Sequence, residues 1–213
     1  CLGLKLIQKH FRSIKLPFDN LYPWYVIIEL TSSKNENLDD KMNVLLEESL
    51  RKKIILDAIQ PVNLKQKNEI WKTREFLSNA QKLEGPSIKH DISIPLSKIP
   101  LFLQKAENSI SKYIEKKYIL TFGHLADGNL HYNIGIPERI KESEFRLMSE
   151  KINNIVFDLV QKMGGSFSAE HGIGKLKIKE LKRYSTKEEL NLKKSIKLLL
   201  DPGKIMNPGK IFR

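Results

Sequence analysis

The dipeptide Asp127-Gly128 constrains this chain more than any other feature. Before it, Tyr118-Ile-Leu-Thr-Phe122 reads as a strand. After it, Leu130, Tyr132, Ile134 and Ile136 alternate with His131, Asn133 and Gly135, the two-residue period of a strand with unlike faces. A turn of this type joins antiparallel neighbours, so the sheet is antiparallel here. Further strands are expected at Tyr25–Leu30, Ile88–Pro95 and Ser166–Ala169. Helical spacing of apolar residues predicts helices over 38–55, 64–80 and 97–113. The clearest helix follows Pro137, where Met148, Ile152, Ile155, Val156, Leu159, Val160 and Met163 form one stripe that Gly164-Gly165 closes. Ser185-x-x-Glu188 has the pattern of a capping box, and Asp201-Pro202-Gly203 ends the helix it opens. Strands and helices interleave around at least one hairpin. The fold class is therefore α+β, an antiparallel sheet with helices packed on one face.

Composition narrows the functional classes. A chain of 213 residues with 40% apolar and 29% charged residues is globular in character, and its length suits one domain over 1–213. No apolar run approaches the roughly 20 residues of a membrane span. The only cysteine is Cys1, which excludes an internal disulfide and any cysteine-based zinc ribbon. The net charge of +12 raises the question of nucleic acid. The 37 basic residues are spread along the chain, however, without a basic tract that interleaves aromatics. Attraction of small anionic substrates is the better expectation. The chain opens on Cys rather than Met and reads as part of something longer.

The chemistry concentrates in two glycine-rich stretches. In Gly123-His124-Leu-Ala-Asp-Gly-Asn-Leu-His131 two imidazoles flank a tight turn that folds them back towards each other. His131 and Asn133 share a strand face, which must point at water or at a site. Glu170-His171 precedes Gly172-Ile-Gly174, where backbone can approach a ligand closely. Two histidines and a carboxylate suit a catalytic divalent ion with an open position for substrate oxygen. Any one of these residues alone is more simply a surface side chain. Three of the five histidines fall in these two motifs, and that shifts the balance.

These motifs carry a family resemblance. Phe122-Gly-His-Leu-Ala-Asp-Gly-Asn-Leu-His-Tyr-Asn133, Ser168-Ala-Glu-His-Gly-Ile-Gly174 and Asp201-Pro-Gly-Lys-Ile-Met-Asn-Pro-Gly-Lys210 resemble three signatures of FAD-linked 2-hydroxyacid oxidoreductases of the vanillyl-alcohol-oxidase superfamily. Ile70-Trp-Lys-Thr-Arg-Glu75 and Lys89-His-Asp-Ile-Ser-Ile-Pro95 are similar to its earlier substrate-binding segments. The resemblance covers essentially the whole chain and is nearest the D-2-hydroxyglutarate and D-lactate dehydrogenases, with glycolate oxidases as relatives. Ala126 departs from the usual Gly, and Ser78 stands where Thr is common. A larger departure is the lack of glycine-rich flavin-binding segments. The resemblance thus implies the C-terminal substrate-binding cap alone, a ferredoxin-like duplicated fold, with its FAD held mainly by an N-terminal domain that this chain does not contain.

What the resemblance implies about roles is specific. His124, His131 and Glu170 would hold a divalent metal, zinc being the expected ion, which binds the 2-hydroxyl and a carboxylate oxygen of the substrate. His171 would be the general base, a duty that suits an imidazole. Arg74, Ser78, Lys89 and Asn133 would bind substrate. Arg74 and Ser78 stand four residues apart, on one side of the expected helix, with a guanidinium that can grip a carboxylate in two places. Asn207 would approach the flavin. Implied partners are a small 2-hydroxy acid, an FAD-binding domain or subunit and an electron acceptor (flavoprotein, quinone or cytochrome). A homo-oligomer fits as well, and the implied location is cytoplasmic or peripheral to the inner membrane. Three rival readings compete: an isolated non-catalytic remnant or interaction domain, a metal-dependent hydrolase, and a basic nucleic-acid binder. The hydrolase is weakened by the lack of a second acidic cluster to activate water.

Overall fold

The computed structural model describes residues 1–34, 36–114, 117–136 and 140–212, the Glu142 side chain excepted. Pro137, the expected boundary before the long helix, lies outside the described residues. The chain divides into two units, Cys1–Leu83 and Glu84–Arg213.

The first unit is helical. It contains α1 (Leu2–His10), α2 (Leu38–Arg51), α3 (Leu64–Glu75) and α4 (Leu77–Lys82). Asn37 caps α2 by accepting the N–H groups of Asp39 and Asp40, and Asn63 caps α3 through Gln66 N–H. These short side chains satisfy donors that a helix start leaves orphaned. Leu4, Leu6 and Ile7 of α1 are buried with Leu77 and Ala80 of α4, and Phe11 meets Phe76 edge to face at 5.0 Å. Phe76 interrupts the helix expected over 64–80, with φ −80° and ψ −2°. Arg74 and Ser78 therefore sit on successive helices rather than on one. Tyr25–Leu30 joins no ladder among the described residues. A strand needs a neighbour for its backbone groups, and this unit supplies none, so Val26 and Ile28 remain exposed.

The second unit holds the sheet. Its elements are β1 (Ser87–Ser93), α5 (Ile99–Ser111), β2 (Tyr118–His124), β3 (Asn129–Gly135), α6 (Glu142–Lys162), α7 (Ile178–Tyr184) and α8 (Lys187–Leu200). The strand order is β1-β3-β2, with both pairings antiparallel. The Asp127-Gly128 hairpin forms as its sequence predicts, with Gly128 left-handed at φ 72°. A Cβ there would stand 2.1 Å from Ile94 O, so conformation and space both demand glycine. Ile88, Ile92, Leu130, Tyr132 and Ile134 from one sheet face pack with Phe102 and Ile110 of α5 and with Ile152, Val156 and Val160 of α6. The predicted stripe of α6 is thus the core-facing side. Ser166–Ala169 does not become a full strand; it makes one bridge, Ser166 to Ser93 at the edge of β1. The cap of α8 is Thr186 rather than Ser185, because Thr186 Oγ1 accepts Glu189 N–H at 3.1 Å.

Candidate active site and metal centre

The other face of the sheet carries the chemistry, arranged in successive rungs. Ladder register places Ser93, Asn129 and His124 on the first, then Asp91, His131 and Phe122, then Lys89, Asn133 and Leu120. Paired residues share a face, and rungs of one face lie about 7 Å apart along a strand. Two-residue alternation alone thus gathers residues from three separate stretches of sequence.

Glu170 reaches this face from the segment that bridges to β1. Its Oε1 lies 3.6 Å from His124 Nε2 and its Oε2 lies 3.5 Å from His131 Nε2. Two ligand atoms bound tetrahedrally to one ion, each about 2.1 Å from it, stand about 3.4 Å apart. Each histidine stands beside a different oxygen of Glu170, and the three residues carry donor types that suit a divalent ion. His131 is the better enclosed histidine; its ring lies 5.0 Å from Phe122 and is stacked 5.9 Å from the His171 ring. His171 itself is largely exposed.

Asp91 is the residue that the sequence analysis missed. It is 5% exposed, and its carboxylate joins three parts of the site. Oδ1 accepts from Asn129 Nδ2 at 2.9 Å, while Oδ2 accepts the N–H groups of Glu170 and His171 at 2.9 and 2.8 Å. His171 Nδ1 stands 3.4 Å from Oδ2. Burial alone would raise the Asp91 carboxyl, but the two backbone donors, His171 and Asn129 outweigh it and hold it below the ordinary value. Among the described residues, the group whose ligand atoms all lie within 4.8 Å of one another is Asp91, His131 and Glu170, which shares two members with the expected set and has Asp91 in place of His124. The signal for Asp91 was present in the alternation of Lys89, Asp91 and Ser93, opposite the polar residues of β3.

The remaining candidates divide by location. Lys89 and Asn133 are cross-strand partners one rung beyond His131, with Asn133 buried and Lys89 exposed. Arg74 and Ser78 belong to the first unit. Asn207 is left-handed at φ 47° and lies in a C-terminal tail tied back by Ile211 N–H to Gly174 O at 2.8 Å. His90, facing the helices, is fully buried, and its Nδ1 lies 2.9 Å from Tyr132 O. Burial lowers its pKa to about 4, although Tyr132 O and the Asn153 side chain partly oppose this. It is a core histidine.

For FAD the picture is different. Gly172 and Gly174 are left-handed at φ 69° and 56°, and neither opens a helix. They do not form the glycine-rich helix start that cradles a dinucleotide phosphate. Among the described residues no helix is long and apolar enough to cross a membrane.

Comparison with known proteins identifies the family. The family model described as FAD linked oxidases, C-terminal domain, matches residues 3–211. D-2-hydroxyglutarate dehydrogenase of Stutzerimonas stutzeri (strain A1501) is 34% identical over 199 residues, covering 93% of this chain and 42% of that protein. The mitochondrial D-2-hydroxyglutarate dehydrogenase of Arabidopsis thaliana is 30% identical over 210 residues, covering 99% and 36%. That of Danio rerio is 31% identical over 207 residues, covering 97% and 37%. The chain therefore spans about two-fifths of the length of these relatives. With an α+β fold and a family match along almost its whole length, this chain belongs to the C-terminal domain family of the FAD-linked oxidases.

Proposed function

We propose that this chain is the substrate- and metal-binding part of an FAD-dependent enzyme that oxidises a D-2-hydroxy acid to the 2-oxo acid. The observation that carries the reading is the placement of Glu170 between His124 and His131, with His171 beside them and turned to Asp91. D-2-hydroxyglutarate is the first candidate substrate, from the names of the relatives; D-lactate and glycolate follow. The metal, zinc by preference, is to be held by His124, His131 and Glu170. A divalent ion there would supply Lewis acidity to the 2-hydroxyl, and FAD, carried by a further domain or subunit, would accept the C2 hydrogen as hydride.

The chain's own residues do the rest. His171 takes the hydroxyl proton at Nε2, since its Nδ1 faces Asp91. Asn133 donates to the substrate from the rung beyond His131, and Lys89 next to it supplies a positive charge for a carboxylate. Arg74 and Ser78 are assigned to the carboxylates as well, the guanidinium by a two-point grip and the hydroxyl as a donor. Asn207 is assigned to the flavin side. The electron acceptor, an electron-transfer flavoprotein, a quinone or a cytochrome, takes the two electrons onward.

The test uses the whole flavin-bearing enzyme that contains this chain. Anaerobic addition of D-2-hydroxyglutarate should bleach the flavin, and the L enantiomer should not. On Lys89→Ala, a loss confined to the dicarboxylate would assign Lys89 to the distal carboxylate, whereas an equal loss with D-lactate would assign it to the common one. Failure of every D-2-hydroxy acid to reduce the flavin would overturn the reading.

A further inference from the structure

Three lysines alternate after the Glu-His motif, and the fold treats the middle one differently. Lys175 and Lys179 are exposed, whereas Lys177 is half-buried. Its Nζ donates to Phe167 O at 3.2 Å and to Ser168 Oγ at 3.0 Å, ten and nine positions back along the chain. The charges of Asp91 and Glu180 favour the ammonium from further off. Taking an ammonium out of water is costly unless its protons find acceptors. Here the acceptors are a main-chain carbonyl and a hydroxyl, both in the segment that leads to Glu170. The reaction proposed above has no step for this side chain.

The bond to Ser168 has a consequence for the loop that follows. A hydroxyl carries one proton, and an ammonium can only donate. While it accepts from Lys177, Ser168 sends that proton to Gly172 O, at 2.7 Å. This second bond closes a loop over 168–172, with Ala169, Glu170 and His171 between its ends. The same three residues give their N–H groups to Asp91: Ala169 to the main-chain oxygen at 3.2 Å, Glu170 and His171 to Oδ2 at 2.9 and 2.8 Å. Lys177 thus holds the base of the loop, Ser168 its waist and Asp91 its tip. From that tip the Glu170 carboxylate reaches His124 and His131.

A rival role for Lys177 is to meet a substrate carboxylate. Two of its three N–H donors are already committed within the chain, so a bound anion would have to compete with the loop. We infer that Lys177 is a positioning residue, which acts through Ser168 to lock the 168–172 loop and so places the Glu170 carboxylate before any ion arrives. The inference rests on the reading of Glu170 as a metal ligand, and it deepens that reading by naming what holds the ligand. Partners behind the ligands of a metal site commonly set its affinity in this way.

The experiment uses the whole flavin-bearing enzyme. Lys177→Met keeps the length of the side chain and removes the ammonium. Amide hydrogen exchange, followed by mass spectrometry, compares a peptide from Phe167 to Ile173 with one that covers β3; Zn²⁺ alone is then titrated into the metal-free protein. In the variant, exchange in the loop peptide should speed up by about tenfold or more, the scale of losing bonds to a charged donor, while β3 keeps its protection. Affinity for Zn²⁺ should fall by about tenfold, and by no more than ~100-fold, as for a residue behind a ligand. Unchanged exchange in the loop overturns the inference. Equal acceleration in β3 overturns it too, because Lys177 would then support the unit as a whole. So does a loosened loop with undiminished affinity for Zn²⁺. Should Lys177→Met fail to fold, Ser168→Ala, which removes both the acceptor of Lys177 and the donor to Gly172, must give the same pattern, and an unloosened loop there is equally contrary. If the unaltered enzyme binds no Zn²⁺, the reading of Glu170 as a ligand fails by itself, and exchange still decides whether Lys177 orders the loop.

Discussion

Glu170 and His171 are neighbours in sequence, yet the fold gives them different surroundings. Glu170 extends its carboxylate between two imidazoles, whereas His171 turns its Nδ1 to a buried carboxylate and leaves most of its ring exposed. Under the proposed reaction this split predicts separable effects. His171→Ala in the flavin-bearing enzyme should lower turnover by about 10²–10⁴-fold, the usual contribution of a general base, and leave the metal in place. Steady-state kinetics with metal analysis of the same sample checks both halves; loss of the metal together with activity would make His171 a ligand. At this scale much of the site was legible. Spacing within Gly123–His131 brought two imidazoles to one turn, and the Glu-His pair stood out by its glycines. Asp91 did not, because its importance lies in three hydrogen bonds made some 40 or 80 positions away. Neither spacing nor side-chain type reports partners at that distance.

Local elements were legible where local physics decides them. The hairpin turn is one case. Gly128→Ala should destabilise the second unit by more than ~1 kcal/mol, since a left-handed residue there also meets Ile94 O; urea denaturation measures it, and an unchanged midpoint would contradict the close packing seen at this turn. Likewise the stripe on α6 predicted both the helix and its buried side. Tyr25–Leu30 marks the limit of such reading. Its β-branched residues satisfy strand propensity, but a ladder is a property of two segments, and no partner lies beside it among the described residues. The helix over 64–80 failed for a milder reason. Phe76 packs against Phe11 just where the backbone loosens, a tertiary contact that periodicity within one helix cannot contain.

For the molecule as a whole, His90 links the core to pH. Its imidazole is buried against Phe157 and Tyr132, and its pKa falls from an ordinary 6.5 to about 4. Between these values the unfolded chain binds the proton and the folded chain does not. His90 thus contributes nothing to an acid loss above pH 6.5, and unfolding free energy should fall as pH drops from there towards 4, by as much as ~3 kcal/mol. Asp91 acts in the same direction but lower. Its carboxyl is depressed, so its contribution is present above its ordinary pKa of 3.8 and is lost as pH falls through the lower folded value. Denaturation series from pH 2 to 7 on the unaltered protein and on His90→Phe separate the two; an equal slope in both proteins between pH 4 and 6.5 would remove His90 from the account.

The claim on which the functional reading stands is that His124, His131 and Glu170 hold one divalent ion. Calorimetric titration of Zn²⁺ into the protein, repeated on the double variant His124→Ala/His131→Ala, tests it most directly. One equivalent should bind to the unaltered protein and none to the double variant, because both imidazole ligands are gone. Equal binding by both proteins would place the metal elsewhere, and the 2-hydroxyl of the substrate would lose its anchor in this site.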